Sequence, residues 1–257
     1  MMSTAESGTK RPVALITGGG RGIGRATAIA AARAGYDVGV NYVDDDTAAE
    51  ATAASCRELG AISAAVRGDV ADAEAVAQMF QSMDRIFGRL DLLVNNAGIV
   101  GKVTKVADLD AETLKRTFEV NVFGTVYCVQ EAILRMSREH GGDGGAIVNL
   151  SSIAATLGSA GEYVHYAASK GAIETFTLGL AKEVAPVGIR VNAVQAGTTD
   201  TEIHARSGNP DRPSMVAKMV PLGRVATPDD IAQAILWLAS DAAAYTTGAS
   251  LRVGGGL

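Results

Sequence analysis

The feature that most constrains this 257-residue chain is a regular alternation of short β-rich apolar runs with longer helical patterns. The runs are VALIT (13–17), DVGVNY (37–42), AISAAV (61–66), DLLVNN (91–96), AIVNLSS (146–152) and IRVNAV (189–194), with a last one at 250–253. Between them, RATAIAAARAG (25–35), a segment ending near Leu59, and the stretches 73–87, 111–139, 163–185 and 228–239 carry helical periodicity. Parallel strands need crossover connections, so this order predicts an α/β fold with a doubly wound parallel sheet and helices on both faces. After Val194 the rhythm breaks into a segment rich in Thr, Gly, Pro and charge, which predicts a substrate lid over about 198–219. Residues 1–11 read as a polar tail, and 12–257 as a single domain.

Composition narrows the function classes. Hydrophobic residues make up 47% of the chain, enough to bury a core. Formal charge is -5, with 28 acidic against 23 basic residues and no basic cluster, so nucleic acid is not an expected partner. No apolar run approaches the roughly 18 residues of a membrane span, and MMSTAESGTKR has no apolar signal region; a soluble, cytoplasmic protein is expected. Cys56 and Cys128 lack metal or disulfide spacing and read as small buried hydrophobes in a reducing compartment. No metal site is expected.

The turn after the first strand is Thr17-Gly18-Gly19-Gly20-Arg21-Gly22-Ile23-Gly24, with a helix directly behind it. Glycines there let the backbone turn sharply and approach a pyrophosphate, whose charge suits the N–H groups of a helix start. Taken alone, such a turn fits a purely structural role equally well. Further marks follow in order: Asp69-Val70, Asn95-Asn96-Ala97-Gly98, Asn121, Ser151-Ser152 and Tyr166-x-x-x-Lys170. Together with PLGR (221–224), TPDDIA (227–232), LASD (238–241) and TG (247–248), these marks resemble the short-chain dehydrogenase/reductase family over roughly residues 12–257. The likeness is greatest to its glucose 1-dehydrogenase-like and 3-oxoacyl-carrier-protein-reductase-like members.

The resemblance implies a Rossmann fold, a nicotinamide dinucleotide and a family-typical homotetramer. Gly18, Arg21, Gly22, Ile23 and Gly24 would hold the pyrophosphate end of the cofactor. Asp69 would bond the adenine amino group with Val70 beside it, while Asn96, Ala97 and Gly98 would line the ribose. Gly197, Thr199 and Thr201 would lie by the nicotinamide, the two threonines at the positions that meet its carboxamide. Asn95 reads as a tie between strands. NAD-preferring enzymes place an acid at the end of the second strand, where Asn41 and Tyr42 stand here. Arg21 suits a 2'-phosphate, and Asp44, Asp45 and Asp46 read as a solvated helix start, so NADP(H) is favoured with NAD(H) as the alternative.

Hydride transfer between a carbonyl and an alcohol needs an acid/base at the substrate oxygen and a donor that polarises it. Tyr166 and Lys170 at i and i+4 share a helix face, and an adjacent ammonium lowers a phenol's pKa. Ser152 falls at the C-terminal end of a parallel strand, the edge where open α/β sheets bind ligands. By the resemblance, Tyr166 is the general acid/base, Ser152 polarises the substrate oxygen, and Lys170 lowers the Tyr166 pKa while holding the nicotinamide ribose. Asn121 either holds a relay water or bonds backbone at a helix kink. Tyr163, with Ala167 four residues on, reads as a pocket or packing aromatic, and Ser151 points to the opposite strand face.

Departures from the family pattern are also legible. The Ser152–Tyr166 gap is 14 residues where many members have 13, Ala196 replaces a proline before Gly197, and Gly254-Gly255-Gly256 is expected to loosen the C-terminal tail. His165, Glu202, His204 and Arg206 are either substrate contacts or ordinary loop residues. The expected activity is NADP(H)-dependent interconversion of a small-molecule carbonyl and alcohol. The rivals are 3-oxoacyl-carrier-protein reduction, for which a basic pocket mouth is lacking, and a non-catalytic nucleotide-sensing regulator. Apolar excess on 111–139 and on the helix after Tyr163 suits burial against another subunit.

Overall fold

The computed structural model describes residues 11–257, so nearly all of the expected 1–11 tail lies outside the described residues. Seven parallel strands form one sheet in the order β3-β2-β1-β4-β5-β6-β7. They are β1 (Val13–Ile16), β2 (Asp37–Tyr42), β3 (Ser63–Arg67), β4 (Leu92–Asn95), β5 (Gly145–Ser152), β6 (Ile189–Ala196) and β7 (Ser250–Val253). Central strands are buried on both sides, which is why β1 and β4 read as unbroken apolar runs.

The helices are α1 (Gly22–Arg33), α2 (Asp46–Glu58), α3 (Ala73–Phe87), α4 (Ala111–Phe118), α5 (Gly124–Met136), α6 (Ala154–Leu157), α7 (Val164–Val184), α8 (Ile203–Arg206), α9 (Arg212–Ala217) and α10 (Pro228–Ala239). One face of the sheet packs Leu15, Leu93 and Ile147 against Met79, Phe80, Val129 and Leu180 of α3, α5 and α7. The other packs Ile16, Val94 and Val148 against Ala28, Ala53, Ile231 and Ile235 of α1, α2 and α10. The doubly wound fold is therefore as expected. The strand order reverses between β1 and β4, so the crevice at their C-terminal ends is the topological switch point where such sheets bind ligands.

Several boundaries differ from the sequence reading for identifiable reasons. The expected single helix over 111–139 is broken: residues Glu119–Phe123 form a π turn between α4 and α5, and α5 stops at Met136. The first helix starts at Gly22, three residues early, because Arg21 is extended and the chain turns helical directly after it. Strand β6 runs on to Ala196 because Gln195 and Ala196 pair with Arg252 and Val253 of β7. The lid segment contains α8 and α9 and is pinned at its root by a bridge between Thr199 and Ala226.

The glycine-rich C-terminus is tied down, contrary to the expected loosening: Leu222 N–H donates to Gly255 O at 3.1 Å and Arg252 Nε to Leu257 O at 2.6 Å. Ala196 in place of proline leaves the bend secure, since Ala196 O accepts from Ile153 N–H at 3.0 Å and Gly197 N–H donates to Val253 O at 2.9 Å.

Candidate active site

The glycine turn lies at the C-terminal end of β1. Gly18 has φ +61°, and a Cβ there would lie 3.1 Å from Ala97 Cα. A Cβ on Gly24 would collide with the Gly18 carbonyl and lie 2.5 Å from Asn96 Nδ2, so the loop and α1 approach each other closely only because both positions are glycine. No side chain caps α1, which leaves its first N–H groups facing the crevice, whereas α2, α3 and α4 are capped by Asp45, Asp72 and Asp110. Gly22 sits against Thr201, so the root of the lid closes over the loop; Ile23 packs on the core beneath. A cradle without side chains, ended by an uncapped helix, fits a dinucleotide pyrophosphate.

Two asparagines hold this loop in shape, and here the structure corrects the ligand-facing reading. Asn41 is fully buried; its Oδ1 accepts from Gly18 N–H at 3.1 Å and its Nδ2 donates to Gly68 O at 2.9 Å. Asn96 Nδ2 donates to Thr17 O at 2.8 Å and Gly18 O at 3.1 Å, so its amide braces the loop. Tyr42 stands half-buried at the end of β2. Arg21 lies 3.9 Å from Asp45, both well exposed, while Asp45 also caps α2 by accepting from Ala48 N–H at 3.0 Å.

The expected adenine-side pair lies at the end of β3. Asp69 Oδ2 accepts from Arg116 Nη2 at 2.8 Å and its Oδ1 from Ala71 N–H at 3.0 Å. Burial works to raise the Asp69 pKa, but Arg116 and the Ala71 N–H outweigh it and hold the carboxyl below its ordinary value. The Val70 side chain is in the core, against Gly124.

Ser152, Tyr166, Lys170 and Asn121 gather on the other side of the crevice. Ser152 ends β5, its Oγ accepting from Ala154 N–H at 3.1 Å, and its hydroxyl lies near the Tyr166 phenol. Lys170, 5% exposed, places Nζ 5.8 Å from the Tyr166 ring centre and donates to Leu150 O at 2.6 Å. A Cβ on Gly98 would lie 3.3 Å from Asn121 Oδ1 and 3.5 Å from Lys170 Nζ, so Gly98 keeps this corner open.

Burial pushes the Tyr166 phenol up, with the nearby Ser152 hydroxyl and the charge of Arg212 working against that push. Burial also brings Lys170 down to about 8, and its ammonium donates to the Leu150 carbonyl.

Asn121 sits in the π turn with its side chain committed. Oδ1 accepts from Ile99 N–H at 2.9 Å, and Nδ2 donates to Ile99 O at 2.9 Å and Ser169 Oγ at 3.0 Å. The amide therefore binds backbone at a helix irregularity, the alternative to holding a water. Asn95 donates to Asn149, which donates to Thr177, both at 2.9 Å, tying β4, β5 and α7. Ser151 points away and donates to Glu174 at 2.6 Å. Thr199 is buried and donates to Gly197 O at 2.9 Å. His165 is buried, with Nε2 3.1 Å from Val100 O. The side chains of His204 and Arg206 lie outside the described residues.

Two charged groups at the site escaped the sequence reading. Arg116 meets Asp69 from α4, 47 residues away. Arg212 of the lid reaches Glu162, 50 residues away, at 2.5 Å. Nothing local marks either pairing; charge in a segment read as a lid was the one available signal. Among the described residues, no group of three or more His, Cys, Asp or Glu is placed to hold a metal, and no helix is long and apolar enough to cross a membrane.

A doubly wound sheet with a glycine cradle at its switch point and a Ser, Tyr and Lys cluster opposite defines an NAD(P)-dependent oxidoreductase. Comparison with known proteins agrees. The family profile described as Enoyl-(Acyl carrier protein) reductase matches residues 18–257. An uncharacterized oxidoreductase of Escherichia coli, YgfF, is 47% identical over 95% of this chain and 99% of its own length. An L-rhamnose 1-dehydrogenase (NAD(P)(+)) of a Sphingomonas species is 40% identical over 95% and 94%, and the 3-oxoacyl-[acyl-carrier-protein] reductase FabG of Staphylococcus aureus 36% over 95% and 97%. A solved short-chain dehydrogenase/reductase from Serratia marcescens superposes with a TM-score of 0.87 at 35% identity, covering 95% of this chain and 97% of that one. The chain belongs to the short-chain dehydrogenase/reductase family.

Proposed function

We propose that the protein transfers a hydride between NADP(H) and a small-molecule carbonyl or alcohol, with Tyr166 as general acid/base. The observation that carries this reading is the meeting of Ser152, Tyr166 and Lys170 at the switch-point crevice, across from an uncapped helix start. When bound, the nicotinamide supplies or accepts the hydride. Ser152 Oγ polarises the substrate oxygen while Tyr166 Oη gives it a proton in reduction and takes one in oxidation. Lys170 supplies positive charge beside the phenol and a donor for a ribose hydroxyl. Asn121 holds the 98–99 turn, and thereby the corner next to Lys170, in place.

NADP(H) is favoured over NAD(H) because no acid ends β2 and Arg21 stands free enough, at 42% side-chain exposure, to meet a 2'-phosphate. Asp45 belongs to the cap of α2, which fixes its carboxylate toward the helix. Relatives act on a sugar and on acyl-carrier-protein thioesters; the acidic net charge supports a free small molecule over a carrier protein. Exposed Phe123, Leu134 and Leu178 on one face of the sheet and Trp237 of α10 on the other support a homotetramer, and two unpaired buried cysteines suit the cytoplasm.

The test is oxidation of NADPH or reduction of NADP+ against a panel of alcohols, sugars, ketones and acyl thioesters. Expected are turnover of at least one carbonyl/alcohol pair and a higher kcat/KM with NADP(H) than NAD(H), which Arg21→Ala reduces for NADP(H) alone. Tight nucleotide binding with no turnover of any pair overturns the proposal.

A further inference from the structure

Next to Tyr166 stands a second phenol whose oxygen has no hydrogen-bond partner among the described residues. Tyr163 immediately precedes α7 and is 4% exposed. Its ring meets that of Tyr166 edge-on, the centroids 6.2 Å apart and the planes at 85°. Tyr163 Oη is buried and without a hydrogen-bond partner among the described residues. Arg212, at the start of α9 in the lid, stacks its guanidinium 4.8 Å from the ring centre while Nη1 binds Glu162 Oε2 at 2.5 Å. Arg212 offsets, by charge and a weak side-chain interaction, part of the upward push that burial gives the Tyr163 phenol. Its position is nonetheless over the ring face, and the oxygen stays unpaired.

A buried hydroxyl that the fold does not satisfy is unfavourable unless a ligand satisfies it. The chemistry of the surroundings says which ligand. Glu162 neutralises Arg212, so this wall carries no net charge to select an anion. A phenol both donates and accepts, which matches a hydroxyl better than a carboxylate or a hydrocarbon. From this we infer that Tyr163 Oη is a substrate-recognition group, taking a second oxygen of the molecule whose reacting oxygen meets Tyr166, with the Arg212–Glu162 pair of the closed lid holding its ring. The substrate class is then a vicinal diol, polyol or sugar. The inference rests on the oxidoreductase reading above and narrows it.

The test compares Tyr163→Phe with the unmodified enzyme, both loaded with NADP+, on a matched pair: cyclohexane-1,2-diol and cyclohexanol. The unmodified enzyme should favour the diol. Tyr163→Phe should lower kcat/KM for the diol about 3- to 10-fold, the worth of one hydrogen bond, mainly through KM. Cyclohexanol should be unaffected, and the melting temperature of the free protein unchanged or raised, because the fold leaves that hydroxyl unpaired. A merely structural role would move both substrates and lower the melting temperature. Equal loss on both alcohols, or no preference for the diol in the unmodified enzyme, overturns this inference and leaves the oxidoreductase reading standing. No turnover of any alcohol or carbonyl in the wider panel overturns both.

Discussion

Removing the Asn96 amide tests whether the cradle is held by side chains rather than by the glycines alone. In Asn96→Ala, the donors to Thr17 O at 2.8 Å and Gly18 O at 3.1 Å disappear, leaving two half-buried carbonyls to find water or stay unpaired. At about 0.5–1.5 kcal/mol each, the loss comes to roughly 2 kcal/mol. For a chain of this length that lowers the melting temperature by roughly 4–8 °C. The Gly18 peptide is also the one Asn41 grips from the other side, so freeing one half of the clamp lets the loop move where the cofactor docks. Calorimetric titration with NADPH should then show the dissociation constant rising about tenfold, the equivalent of about 1.4 kcal/mol. Unchanged affinity together with an unchanged melting temperature would show that the clamp does not hold the loop, and the account of Asn96 as a brace would fail.

Asp110, which caps α4 through Thr113 N–H at 2.6 Å, has its carboxyl held down to about 2 by that bond, the Thr113 hydroxyl and Lys102. Its contribution is present above the ordinary carboxylate pKa and is lost as pH falls from about 4 to 2, so Asp110→Ala should melt lower than the parent at pH 7 and converge with it near pH 2, as followed by circular dichroism. Lys170 has the opposite sign: burial brings it to about 8, while the unfolded chain holds that proton to about 10.4, so the unfolded state binds more protons between these values. Denaturant titrations should show the parent gaining stability relative to Lys170→Met as pH rises from 8 to 10; a flat difference would contradict the burial of that ammonium. Light scattering after gel filtration should give the mass of four chains, and Trp237→Glu should lower it.

Much of the fold was legible because its determinants are local. The bounds of α3 and α10 follow from Asp72 and Gly88 at the ends of one, and from the Thr227–Asp230 capping box with Pro228 at the start of the other. Where long-range contacts decide, sequence reading failed. The apolar pattern of 111–139 continues through Asn121, yet the helix opens into a π turn there because that buried amide binds Ile99 and Ser169. Asn41 and Asn96 occupy positions expected to face a ligand, but the pleat and the loop turn their amides onto backbone. Asp69 was legible as a carboxylate at the crevice and its partner Arg116 was not. The Tyr166–Lys170 spacing showed that the two share a face; that Lys170 is buried and donates to the Leu150 carbonyl was not legible in it.

The central claim, that the Tyr166 hydroxyl moves the proton, is tested most directly by Tyr166→Phe assayed with a substrate the unmodified enzyme turns over. The account predicts that kcat falls by about 10²- to 10⁴-fold while NADPH still binds with a dissociation constant within about threefold of the parent. Retention of the parent kcat with cofactor affinity intact would contradict it.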